Sequence, residues 1–258
     1  MNDEPAFLQL QVYPYLLKLQ ANFSPMKLPS LLYKGTLIRR YKRFIADVRL
    51  ENGSMVSAHC PNSGSMLTSS TPGSLVLLSR SSNTKRKFPF TLELYKSENG
   101  WVLVDTLYPN KVAVEGIMQG RIKELTGYER IKMEASTGDG SRLDILLEGK
   151  ERPQCYVEIK NCTLLSSDGT IEFPDAVTSR GLKHLRTLSG LVKQGKRGVM
   201  LFFLGRTDGF NFRPADHIDS AYGKGLRDAA KMGVEILAYK AHITPEEISI
   251  KRPEKVFL

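Results

Sequence analysis

From Leu31 to about Asp105 the apolar positions come in short runs or alternate with polar ones, the period-two mark of strands with one buried face. The runs are Leu31 to Arg39, Phe44 to Leu50, Met55 to Ala58, Leu75 to Leu78, Phe90 to Leu94 and Trp101 to Val104. Turn formers stand between them: Asn52-Gly53, Asn62-Ser63-Gly64, Pro72-Gly73 and Asn99-Gly100. Short strands at close spacing, with almost no helical periodicity, predict a small all-β barrel. Near Leu107 to Asn110 the pattern changes. Val112, Val114, Ile117, Met118 and Ile122 recur at helical spacing behind Pro109. Tyr128 to Ala135 and Arg142 to Leu147 read as a hairpin, and Gln154 to Lys160 as a further strand. Leu182, Leu185, Leu188, Leu191 and Val192 mark an amphipathic helix that stops at Gly195. Val199 to Leu204 is almost continuously apolar, as in a strand covered on both faces. A helix from Ser220 to Met232 and a strand from Val234 to Tyr239 complete an α/β layer.

The expected fold is therefore α+β in two domains. Residues 26–107 form an all-β barrel that is OB-like by analogy, residues 108–258 form an α/β domain, and residues 1–25 are an extension whose role stays open. The 258 residues suffice for this, and 41% hydrophobic with 25% charged residues is ordinary globular usage. No apolar stretch approaches the ~18 residues of a spanning helix, so no membrane partner is expected. Lysine and arginine number 37 against 27 acidic residues, a net charge of +10. Such an excess favours a polyanionic partner, DNA or RNA; a solubilising surface is the plainer reading. Cys60, Cys155 and Cys162 make neither a paired framework nor metal-ligand spacing, and the N-terminus lacks the early positive charge of a secretory signal. A reducing, cytoplasmic setting is expected.

Three residues carry the candidate chemistry. On the strand Tyr156 to Lys160 side chains alternate, so Glu158 and Lys160 share one face while Val157 and Ile159 take the other. Asp144 lies on the preceding strand. Buried charges need partners or a metal. Asp144 and Glu158 offer hard oxygen ligands to Mg2+ or Mn2+, and Lys160 could orient the attacking water or neutralise phosphate charge. This is the D…E-x-K arrangement of PD-(D/E)XK nucleases. A surface salt bridge would look the same in the sequence. Glu115, on the helix before the hairpin, is a candidate third metal carboxylate or a solvated helix position.

Candidate nucleic-acid contacts are Arg39, Arg40 and Arg43, interleaved with Tyr41 and Phe44 as in single-strand binders, though a lysine- and arginine-protected strand edge reads the same way. Asn62 and Ser63 lie in a loop whose N–H groups could face phosphate. Lys85, Arg86 and Lys87 form a second basic cluster, and Arg180 and His184 share a helix face. His59 beside Cys60 has no further ligand at zinc spacing.

Longer strings carry a resemblance. They include Arg43-Phe44-Ile45-Ala46-Asp47-Val48, His59-Cys60-Pro61-Asn62-Ser63-Gly64-Ser65-Met66, Ser141-Arg142-Leu143-Asp144, Val157-Glu158-Ile159-Lys160-Asn161-Cys162-Thr163-Leu164 and Phe173-Pro174-Asp175-Ala176-Val177-Thr178-Ser179-Arg180-Gly181. Over about Leu32 to Tyr239 the chain resembles the sugar fermentation stimulation protein A family of bacteria and archaea. The resemblance implies a DNA-binding protein with an N-terminal OB-like domain, a C-terminal nuclease-like domain and a link to sugar utilisation, notably maltose genes. It implies that Asp144, Glu158 and Lys160 match the family's triad. Ile159 and Cys162 depart from it, where the family often has valine. Two functions stay open: a Mg-dependent nuclease, and a non-catalytic DNA-binding transcriptional regulator that retains the nuclease fold. The lack of a helix-turn-helix signature weakens a sequence-reading regulator, and a third reading, a small-molecule enzyme, lacks any glycine-rich cofactor loop or Ser-His-Asp cluster.

Overall fold

Strand formers cluster where the alternation placed them. The structure, a computed structural model, describes residues 25–258 apart from Asp139; the expected extension lies outside the described residues but for Pro25. Strand β1 (Met26–Lys27) is followed by β2 (Tyr33–Tyr41), β3 (Ile45–Leu50), β4 (Met55–His59), β5 (Leu75–Arg80), β6 (Phe90–Lys96) and β7 (Trp101–Leu103). Neighbours run β4-β3-β2-β5-β6-β7, and a parallel pairing of β4 with β6 closes the sheet on itself. That is the OB barrel expected from the sequence. Leu37, Val48, Val76, Leu78 and Leu92 fill it, each at most 1% exposed. Full burial of one such side chain stabilises by roughly 1.5–3 kcal/mol. Gly35 lets β2 and β3 approach: a Cβ there would lie 2.4 Å from Val48 Cγ1 and 2.8 Å from the Arg49 carbonyl oxygen.

The second domain begins with α1 (Tyr108–Met118), then β8 (Arg130–Ser136), β9 (Arg142–Glu148), β10 (Cys155–Cys162), β11 (Leu164–Leu165) and β12 (Thr170–Phe173). After these come α2 (Ser179–Lys193), β13 (Arg197–Leu204), β14 (Phe210–Pro214), α3 (Ser220–Lys231), β15 (Glu235–Ile243) and β16 (Glu247–Pro253). The main sheet has seven strands in the order β1-β16-β15-β13-β10-β9-β8, with β10, β13 and β15 parallel. One face packs on α1, through Val112, Ala113 and Ile117 against Val157, Ile159 and Leu201. The other packs on α2 and α3, through Leu185, Leu188, Tyr222 and Leu226 against Met200 and Phe202.

The two helices after β10 and the parallel strands follow the predicted order. The sequence reading missed the short sheet β11-β12-β14 and the antiparallel strand β16, which lies between β1 and β15. Met26 and Lys27 pair with Ile248 and Glu247 in the main sheet, away from the barrel to which their position in sequence assigned them. The barrel is stitched to the α/β domain along β7. Leu103 N–H donates to the Gly205 carbonyl at 2.8 Å, and Thr207 N–H to the Trp101 carbonyl at 2.9 Å. Beneath the seam the Arg206–Asp208 pair is buried, with Arg206 donating to Thr68 Oγ1 of the barrel at 3.0 Å and to the Thr163 carbonyl at 2.5 Å. The three cysteines are free and buried. No described helix is long and apolar enough to cross a membrane.

Candidate functional site

Strands β9 and β10 pair from Cys155–Leu147 to Val157–Ile145 and then part. Where the ladder stops, Asp144 takes over a backbone role: its Oδ2 accepts the Ile159 N–H at 2.7 Å. Its Oδ1 accepts Asn110 Nδ2 at 2.8 Å, from the first turn of α1. Burial, and then the Glu158 charge, push the Asp144 carboxyl above the ordinary aspartate range; the Ile159 and Asn110 hydrogen bonds partly offset this.

Glu158 and Lys160 share a face at the carboxyl end of β10, where open parallel sheets present their ligands. Glu158 is 3% exposed, and its Oε1 is met by both Lys160 Nζ and His184 Nδ1. Burial drives this carboxyl up, but the His184 hydrogen bond and the Lys160 charge more than offset it, and the group titrates below the usual glutamate range. An ionised carboxylate only accepts, so His184 Nδ1 carries the proton, while Nε2 accepts Arg180 Nε at 3.5 Å. The other oxygen, Glu158 Oε2, is buried and has no hydrogen-bond partner.

These groups open into a cleft of about 430 Å³ between the two domains. The α/β domain contributes Asn110, Asp144, Glu158, Lys160, Arg180 and His184, and the segment Phe173–Thr178 with its cis Phe173–Pro174 peptide. The barrel contributes Arg43 and the loop Asn62–Gly64. Two anchors fix that loop. Arg40 donates to the carbonyls of Arg43, Asn62, Gly64 and Ser65 at 2.7, 2.8, 2.7 and 3.0 Å. Asp175 receives the Met66 N–H on Oδ2 at 2.9 Å and the Ser65 hydroxyl on its carbonyl. Gly64 allows the contact, since a Cβ there would lie 2.3 Å from Asp175 Oδ2.

The structure thus brings Asp144, Glu158, Lys160, Arg43, Asn62, Ser63, Arg180 and His184 to one cleft. Other expected site residues take different places. Glu115 does not line the cleft; it accepts Gln119 Nε2 at 3.0 Å and lies against the Met26 backbone. Asn110 and Glu115 are five residues apart, about 140° around a helix, so a helix that turns Asn110 to Asp144 turns Glu115 away. Among the described residues no group of three or more His, Cys, Asp or Glu side chains is placed to hold a metal. Arg40 spends its guanidinium inside the loop, Arg39 pairs with Asp47 at 2.8 Å, and His184 faces inward onto Glu158. Lys85, Arg86 and Lys87 lie in the β5–β6 loop, outside the cleft lining. The loop N–H of Gly64 is already taken, at 2.9 Å, by Asn62 Oδ1.

Asn110 and Asp175 were missed. Asn110 carries no local signal, because its partner lies 34 residues away. Asp175 stood in the sequence only as one residue of the string Phe173 to Gly181, whereas its work is to seat the barrel loop.

Comparison with known proteins gives the chain its relatives. Residues 107–247 match the family model described as the sugar fermentation stimulation protein RE domain, and residues 38–104 the SfsA N-terminal OB domain. A sugar fermentation stimulation protein homolog of Acidithiobacillus ferrooxidans is 52% identical over 229 residues, covering 89% of this chain and 98% of that one. The homolog of Geobacter sulfurreducens is 54% identical over 225 residues, 87% of this chain and 96% of that one. The solved structure of Pyrococcus furiosus SfsA in complex with Ca2+ superposes with a TM-score of 0.82 at 26% identity, covering 92% of this chain and all of that one.

Proposed function

This chain belongs to the sugar fermentation stimulation protein family, and from that premise we propose that it is a DNA-binding protein with a metal-dependent, nuclease-type site that hydrolyses phosphodiester bonds. One observation carries the reading. Asp144, Glu158 and Lys160, an acid-acid-lysine set in PD-(D/E)XK order, meet at the carboxyl end of a parallel strand, in a cleft whose other wall is an OB barrel.

The residues fit a hard divalent cation. Glu158 Oε2 is an ionised, buried oxygen without a partner, and Asp144 stands beside it. Two carboxylates suit Mg2+ or Mn2+, which keep water and substrate oxygens as their other ligands. The Ca2+ complex of the Pyrococcus furiosus relative supports a divalent site of this kind. When bound, the cation supplies a Lewis acid for the phosphate and a more acidic water. The protein's own groups do the rest. Lys160, paired to Glu158, holds a positive charge toward the cleft for a phosphoryl oxygen. Arg43 and Arg180 bind flanking phosphates from opposite walls. His184 fixes the Glu158 carboxylate so that one oxygen points to it and the other is left for the cation.

Incubation of labelled DNA and RNA with Mg2+, with Mn2+ or with EDTA tests the reading. Cleavage is expected with either metal, is abolished by EDTA, and is lost in Asp144→Asn. A parent protein that binds but never cuts would leave the second reading, a non-catalytic regulator. The departure of Glu115 from the cleft favours that alternative, because it leaves two carboxylates where a third was expected.

A further inference from the structure

We infer that the polymer this cleft accepts is an unpaired strand, with a base laid on Phe44 and the backbone passing from Arg43 to Lys160. The inference rests on the nucleic-acid reading above and adds to it the form of the substrate.

Phe44 ends the three-residue turn between β2 and β3 and is 46% exposed, an aromatic ring held out at a hairpin tip. Its ring lies nearly parallel to that of His59, with centroids 6.5 Å apart and planes 18° from each other. The two form a flat aromatic step on the barrel surface. That step is tied to the cleft. Arg43, one residue before Phe44, lines the cleft, as does Asn62, three residues after His59. Arg40 grips the carbonyls of both Arg43 and Asn62, and Thr106, another lining residue, donates to the Pro61 carbonyl at 2.7 Å. The ring step is therefore bonded directly to residues that line the cleft.

Charge and geometry commit the step to one kind of occupant. Arg43, Lys160 and Arg180 offer phosphate three cationic contacts, beside the carboxylates of Asp144, Glu158 and Asp175 that also line the cleft. In a duplex, neighbouring bases cover both faces of each base, so a protein ring stacks only on a base that is unpaired or splayed out. A cleft of about 430 Å³, lined by the barrel loop Asn62–Gly64 and by Phe173–Thr178, is on the scale of a small-ligand pocket.

The test uses the full chain in EDTA and one fluorescent oligonucleotide, alone or annealed to its complement, read by anisotropy over a salt series. The single strand should bind about tenfold or more tightly than the duplex. Phe44→Ala should weaken single-strand binding about tenfold, leave the duplex unaffected and keep the slope of log affinity against log salt. Phe44→Trp should restore binding. Arg43→Ala should weaken both forms and flatten the single-strand slope by about 0.7, the share of one phosphate. Equal or tighter duplex binding, or indifference to Phe44→Ala, overturns the inference while the nucleic-acid reading stands. Failure of both forms to bind overturns the two together.

Discussion

Two deeply buried glutamates among the described residues, each beside an aspartate, end in opposite states. In the barrel, Glu93 is 3% exposed beside Asp105; at the cleft, Glu158 is as deeply buried beside Asp144. Burial, with the Asp105 charge adding to it, pushes Glu93 up to about 7, and the Ser79 hydroxyl offsets only part. Glu158 meets Lys160 and His184 and falls below the usual glutamate range. Depth is the same, so the partners in contact decide the outcome: an imidazole N–H and a lysine at Glu158, a lone hydroxyl at Glu93. A carboxylate held ionised out of water can bind a metal, whereas one that is half neutral at pH 7 serves the fold instead.

The sharpest way to break this contrast is to remove the cation at the cleft. Lys160→Ala should lower metal-dependent cleavage by about 10²–10⁴-fold, measured with a labelled oligonucleotide, while binding falls far less because one lysine is one phosphate contact among several. Unchanged cleavage would end the catalytic role of Lys160.

The next effect is read as stability against pH. Glu93 has its pKa raised from 4.5 in the unfolded chain to about 7 in the fold. Its contribution is therefore fully present below about pH 4.5 and is lost as pH rises through about 7, where the folded state is forced to charge a buried group. The loss approaches about 3 kcal/mol. Glu93→Gln should remove that slope, so that the variant gains on the parent between pH 4.5 and 8 in urea unfolding. Parallel curves would refute the assignment.

A smaller effect should convert one pair toward the other. His184→Ala deprives the buried Glu158 of a hydrogen bond and should cost about 1–3 kcal/mol at pH 8, with a new fall in stability as pH rises from acid to neutral. Chemical denaturation at several pH values would show it. The smallest effect belongs to the surface. Arg39→Ala should leave the melting temperature unchanged, because the pair with Asp47 is solvated and Asp47 keeps the Ser57 hydroxyl at 2.7 Å.

Most of the barrel and the parallel strands could be read from the sequence because they depend on local period. Leu37, Ala46 and Val48 alternate inward, and Val199 to Leu204 is apolar throughout. The triad was legible for the same reason, since Glu158 and Lys160 share a strand face by alternation alone. What escaped depends on distant partners. Arg40 reads as one more basic residue in the Arg39–Arg43 cluster until the loop 62–65 folds beneath it and four carbonyls claim it. Glu115 reads as a plausible ligand until the facing of α1 is known, and Asn110 reads as nothing until Asp144 arrives. The strand β16 is spread over a hydrophilic tail, Glu247 to Pro253, in which only Ile248 and Ile250 are deeply buried apolar residues.

The pairing of β1 with β16 has a consequence for how the molecule is made. Met26 and Lys27 find their partners at Ile248 and Glu247, and Lys27 meets Glu247 across 220 residues at 2.6 Å. On a ribosome the barrel can close as soon as β7 has emerged, but this edge of the main sheet waits for β16. The barrel is then an excursion between two ends fastened to the same sheet, β1 on one side and α1 on the other, so it is leashed at both ends. A domain hung from a single linker can swing; one leashed twice has fewer ways to turn its face from its neighbour.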